Sequence, residues 1–177
     1  MEFNMKKLLS LIFALLLTCT VLSSCKKNTD VPEGMILASG ESADYYLYIP
    51  DDWTVDLQTG ATTAHVSSND RSNVGAYSWM LEHTDDTVDT WHSQQLTDLE
   101  AGFANYTEES VRELTLDGVY AKEYVFTANL GAEARKYRQV AAVKEGYVYV
   151  VTYSSSPEFF DEHNSDFGDI IDQFRFR

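Results

Sequence analysis

Between residues 109 and 154 the sequence sets strand-like runs against turns too short for anything but antiparallel neighbours. Residues 109–116 lead into Asp117-Gly118, a strong two-residue hairpin signal, and residues 119–127 run back. After Asn129-Leu130-Gly131-Ala132, residues 135–143 read as another strand, and Glu145-Gly146 turns it into residues 147–154. In that last run Tyr147, Tyr149, Val151 and Tyr153 alternate with Val148, Val150 and Thr152, so both sides are apolar. That pattern predicts a central strand covered on each face. Four consecutive strands joined by short turns make an antiparallel meander.

The rest of the pattern surrounds this meander. Residues 44–50, DYYLYIP, read as a first strand ended by Pro50, which has no N–H for a ladder, and Asp51-Asp52 turn the chain toward Trp53. Residues 61–67 and 74–81 read as the next two strands. From 87 to 103 the period changes: Val88, Trp91, His92, Leu96, Leu99 and Phe103 share one helical sector, with Thr87 or one of Asp85 and Asp86 as N-cap. A second helix is expected to start at Pro157, with Phe159, Phe160, Phe167, Ile170, Ile171 and Phe174 buried and Asp161, Glu162, Asp166, Asp169 and Asp172 facing water. Three strands, a helix, four strands and a helix predict an α+β domain with a central antiparallel β-sheet of about seven strands flanked by helices.

The residues Tyr48-Ile49-Pro50 with Trp53, the hairpin Asp117-Gly118-Val119-Tyr120 leading to Tyr124, Gly146-Tyr147-Val148-Tyr149 with Thr152, and a closing helix ending at Phe174 resemble the PsbP-like family. The resemblance covers about residues 45–174. It implies an α/β/α sandwich, the fold of the photosystem II extrinsic subunit PsbP and of a Ran-binding nuclear transport factor. The matching residues are core and turn residues, so they carry a fold and no activity. No catalytic set is carried over, and the metal sites of the plant subunit have no matching positions here.

The N-terminal segment points to a location. Lys6 and Lys7 precede a stretch from 8 to 22 that is apolar apart from Ser10, Thr18, Cys19 and Thr20, the pattern of a secretion signal. It falls short of the run of about 20 apolar residues that spans a bilayer. Leu22-Ser23-Ser24-Cys25 resembles a bacterial lipobox, in which the cysteine thiol is acylated and the chain is cut between Ser24 and Cys25. A lipobox departs from a chloroplast setting. The expected organisation is a signal peptide over 1–24, the lipidated Cys25 with a polar tether over 25–34 broken by Pro32 and Gly34, and one PsbP-like domain over 35–177. Cys25 would then be the membrane attachment, on an extracytoplasmic face.

Cleavage leaves 153 of the 177 residues, enough for one cored domain. It removes Lys6 and Lys7 against Glu2, so the formal charge of −15 becomes −16. A chain this acidic repels nucleic acid. With Cys19 gone and Cys25 acylated no thiol remains, which excludes cysteine catalysis, Cys-ligated zinc and a disulfide. Phosphate-loop, nucleophile-elbow, HExxH and EF-hand motifs are all missing, and no cofactor is expected.

Of four histidines, His92 and His163 fall in apolar helix sectors and are expected as hydrogen-bonded core or boundary residues, while His65 has no acidic neighbour within three positions. His83 differs. Glu82, His83, Asp85, Asp86 and Asp89 gather oxygen and nitrogen donors where a strand passes into a helix, a candidate cation or ligand patch. The same acids also favour a helix N-terminus. Eleven tyrosines and three tryptophans could in addition supply an exposed aromatic platform for a sugar, peptide or protein, although half-buried strands favour tyrosine in any case. These features together predict a lipid-anchored, non-catalytic binding or accessory module with a protein or small-ligand partner. The alternatives are a divalent-cation-binding protein using 82–89 and a hydrolase without a recognisable motif.

Overall fold

The computed structural model describes residues 30–56, 62–66 and 70–177. The expected signal segment, the expected tether up to residue 29 and the candidate lipobox Cys25 lie outside the described residues, and the fold below is that of the unit Val31–Arg177. Its main sheet has seven strands in the order β4 (Thr54–Asp56), β5 (Thr62–His65), β6 (Asn73–Met80), β10 (Tyr147–Ser155), β9 (Glu133–Lys144), β8 (Val119–Leu130) and β7 (Ala104–Leu116). All neighbours are antiparallel. The meander β7–β8–β9–β10 is as the turns require. Asp117 and Gly118 take φ of 45° and 79°, and Glu145 and Gly146 take 53° and 79°, the paired positive φ that matches strand twist in two-residue hairpins.

Helix α1 (Val88–Gly102) and helix α2 (Asn164–Gln173) serve opposite faces of this sheet. The assignment follows from the alternation along β10, the fourth of the seven strands. Tyr149, Val151 and Tyr153 join a core with Phe167, Ile170, Ile171 and Phe174 of the α2 segment. Val148 and Val150 join a second core with Val88 and Trp91 of α1 and Tyr124, Phe126 and Tyr137 of the sheet. The α1 layer is the shallower one: of its predicted stripe only Val88 and Trp91 are buried, while His92, Leu96, Leu99 and Phe103 are half-buried. Thr87 caps this helix in a reciprocal capping box with Thr90.

Two expectations are corrected. The run 44–50 is not a strand of the main sheet. It splits at the fully buried Leu47 into β2 (Tyr45–Tyr46), which pairs with β11 (Arg175–Phe176), and β3 (Tyr48–Pro50), which pairs with β1 (Met35–Leu37). At the break the Leu47 amide donates to Ser39 Oγ (3.2 Å) and its carbonyl accepts from the Ala38 amide (2.8 Å), so its polar groups are satisfied outside any ladder. The place left in the sheet is taken by β4. The second helix begins at Asn164 and not at Pro157. Residues 157–162 form successive turns, closed by Phe159 N–H to the Ser156 carbonyl and Glu162 N–H to the Phe159 carbonyl, both at 3.1 Å. The Phe160 carbonyl accepts from the Tyr153 hydroxyl at 3.0 Å instead of a helical amide.

The longer edge of the sheet, β7, is exposed along most of its length. Two register irregularities, between Ala104 and Thr107 and between Glu108 and Ser110, interrupt it. Glu108, Glu109, Arg112 and Glu113 add charge, which blunts an edge as a template for pairing.

Candidate functional site

The residues singled out between 82 and 89 follow β6, whose end is held by the Leu81 amide donating to the Gly146 carbonyl (2.9 Å). Two of them are engaged in the helix or its neighbour. Asp86 Oδ1 accepts from Thr90 Oγ1 (3.1 Å), and Asp89 forms an ion pair with Lys122. Among the described residues the five donors do not converge as a metal-ligating group.

Three of them do meet something else. Glu82, His83 and Asp86 line a groove of about 460 Å³ whose walls include Trp79 of β6, Trp91 of α1 and Asp98. Asp85 and Asp89 are not part of it. Trp79 is 37% exposed and stacks on Tyr77, 41% exposed, with ring centroids 5.8 Å apart; the Trp91 ring lies tilted against it at 6.1 Å. The aromatic wall comes from alternate residues of β6, which share one face of a strand, and from the first turn of α1. Trp91 is itself buried and backs the wall, so the indole open to solvent is that of Trp79, which lies beside the carboxylates of Glu82, Asp86 and Asp98 and is suited to a cation that can face an indole ring.

Beneath the same helix lies a polar set within an apolar layer. His92 stacks on Tyr124 with centroids 3.6 Å apart, and its Nε2 lies 3.4 Å from Glu108 Oε2. Burial lowers the His92 pKa against the opposing pull of Glu108. Burial also pushes the Tyr106 hydroxyl up to about 12. Trp91 Nε1, His92 Nδ1 and the Tyr106 and Tyr124 hydroxyls have no hydrogen-bond partner among the described residues.

A third cluster sits beside α2. His163, at its N-cap position, donates or accepts through both ring nitrogens: Nε2 lies 2.8 Å from Asp70 Oδ2 and Nδ1 lies 3.1 Å from Asp166 Oδ2. Its ring meets Trp53 edge-on at 5.9 Å. Burial works to lower the His163 pKa, but its hydrogen bonds to Asp166 and Asp70 outweigh it and the pKa is raised. Burial likewise works to raise Asp70, but the Ser72 and His163 hydrogen bonds hold it below its ordinary value. The boundary, hydrogen-bonded role expected of His163 is present. Sequence reasoning missed its partner, since Asp70 is distant in the chain; the only local signal was the three-residue spacing from His163 to Asp166. His65, for its part, faces Asp56 across β4 and β5 at 3.7 Å.

No family model matches the sequence, and no curated protein sequence matches it. Solved structures do match. Cyanobacterial PsbP (CyanoP) from Synechocystis sp. PCC 6803 superposes with a TM-score of 0.59 at 15% identity, covering 88% of this chain and 99% of its own. The fold is PsbP-like. The PsbP-like fold is shared with LpqN of Mycobacterium tuberculosis, described as involved in cell envelope biogenesis, at a TM-score of 0.60 and 14% identity over 74% of this chain and 82% of that one. A Pseudomonas aeruginosa protein of unknown function matches at 0.52 and 15%, over 78% and 94%. At these identities the likeness is one of fold, and the chemistry of the PsbP-like domain has to be argued from its own side chains.

Proposed function

We propose that this chain is a lipid-anchored, extracytoplasmic binding or accessory module without catalytic activity, tethered through Cys25, whose PsbP-like domain holds a cationic segment of a partner in the Trp79–Trp91 groove. The observation that carries the reading is the groove itself: the exposed Trp79 indole, backed by the buried Trp91 and stacked on Tyr77 outside the groove, stands beside Glu82, Asp86 and Asp98. Tryptophan is the strongest aromatic partner for a cation within about 6 Å of the ring, and a contact of that kind is worth about 0.5–2 kcal/mol. The net charge, −15 for the full chain and −16 after the expected cleavage, adds a long-range attraction for the same partner and repels acidic ones. The anchor rests on the signal, the small residues before Cys25 and the polar tether. LpqN, with the same fold, is described in terms of the cell envelope, which is the compartment an extracytoplasmic anchor would serve. No described helix is long and apolar enough to cross a membrane.

Fluorescence anisotropy of a labelled lysine-rich peptide tests this reading. The wild-type chain should bind it, more weakly as salt rises, and Trp79→Ala should weaken binding about tenfold with the melting temperature preserved, because Trp79 lies at the rim. Equal binding by Trp79→Ala and wild type would remove the groove from the reading.

A further inference from the structure

We propose that Asp70, Glu162 and His163 form a binding site for a divalent transition-metal ion of the zinc class. Each residue offers one ligand atom, and the three atoms lie within 4.8 Å of one another. Ligands bound to one ion at about 2.0–2.2 Å stand roughly 3–4 Å apart, so the cluster reaches coordination distance by small side-chain rotations. The 2.8 Å contact between His163 Nε2 and Asp70 Oδ2 opens slightly, and the ion takes the place of the proton those atoms share. Asp70 stays in position because its other oxygen accepts the Ser72 amide at 2.8 Å. Glu162 is exposed and free to swing inward.

The cluster is centred on an imidazole, and that determines the class of ion. A nitrogen with two carboxylates suits zinc and its transition-metal neighbours, whereas calcium and magnesium take oxygen. The ring is also oriented as a ligand's would be. Asp166 holds Nδ1 at 3.1 Å, the carboxylate–histidine arrangement that points Nε2 at a metal, and Trp53 fixes the ring edge-on. Asp70 also lines a cavity of about 590 Å³ with Thr54, His65 and Arg135. Asp166 is a positioning residue here and not a ligand.

Calorimetric titration of the metal-stripped full chain with zinc chloride tests the assignment. One equivalent of zinc should bind, be lost in His163→Gln, and bind at least about tenfold more weakly in Glu162→Gln and Asp166→Asn. Glu162 is exposed, so Glu162→Gln should melt at the wild-type temperature without metal and reports on the site alone. Zinc taken up equally by wild type, Glu162→Gln and His163→Gln would overturn the proposal, as would no uptake by the wild type. Loss of zinc in an Asp85→Asn, Asp86→Asn double variant with Glu162→Gln unaffected would also overturn it, and would place the ion at the loop before α1.

Discussion

Glu123 is the most deeply buried carboxylate of the sheet, its side chain 5% exposed on β8. Such burial raises a carboxyl pKa unless charge is returned to it. Here Arg112 Nη2 donates to Oε2 at 2.9 Å and Arg138 Nε donates to the same oxygen at 2.7 Å, and these bonds outweigh burial and lower the pKa. Arg138 then reaches Asn164, donating to its carbonyl at 2.9 Å and to Oδ1 at 2.8 Å, and its guanidinium lies over Phe167. The triad therefore links the sheet to the start of α2. A depressed folded pKa contributes stability that is present above the unfolded value, about 4.3 for Glu, and is lost as pH falls through the folded pKa. Glu123→Gln should cost about 3 kcal/mol at neutral pH by leaving a largely buried arginine short of its carboxylate. In melts from pH 7 to 3 the gap to wild type should close below about pH 4; a gap independent of pH would refute the assignment. At this scale sequence reading saw His163 as a boundary histidine but had no access to pairings such as Asp70 with His163, because nothing local encodes a contact across the chain.

The short elements carry weight out of proportion to their length. Phe176, in the two-residue β11, is 1% exposed, with its ring edge-on to Tyr149 at 4.7 Å and to Phe174 at 5.1 Å. Its amide donates to Asp117 Oδ2 at 3.0 Å, tying β11 to the hairpin turn. Phe176→Ala should destabilise by about 3–5 kcal/mol, read as a lower urea midpoint. A loss below about 1 kcal/mol would mean that β11 is peripheral. The long strands were legible because a period of two needs several residues to show, and because Asp117-Gly118 and Glu145-Gly146 supply paired positive φ at the turns. Three-residue strands such as β1 and β4 have no period to detect, and residues 44–50 read as one strand because the buried break at Leu47 leaves no mark in the alternation. The helix expected from Pro157 was displaced by tertiary demands, the Tyr153 bond to Phe160 and the clamp on His163, which a first-turn proline does not foresee.

For the molecule as a whole, the α/β/α arrangement was legible from element order and from the two apolar faces of β10, although one strand of the sheet was misassigned. The groove was half legible: Glu82, His83 and Asp86 stood out as a donor cluster, whereas Trp79 and Trp91 become neighbours only when α1 packs on the sheet. The proposed anchor belongs to this scale too. Two acyl chains contribute about 0.8 kcal/mol for each buried methylene, enough to hold an acidic domain that the headgroups of anionic lipids would repel. Cys25→Ser should move the expressed protein from the membrane fraction to the soluble fraction, seen by immunoblotting after fractionation; unchanged membrane association would point to a retained N-terminal segment in place of acylation.

The pairing of β2 with β11 has a consequence in time. Tyr45 and Phe176 stand near opposite ends of the unit and meet in antiparallel register, whereas β7 to β10 pair each with the next strand along the chain. Closing a long loop carries an entropic cost before its contacts return anything. Contact order thus favours the meander forming first, and the layer containing β2 and β11 closes only once Phe176 is available. If the proposed signal carries the chain unfolded across a membrane, that order would hold back its last tertiary step until the whole domain had crossed.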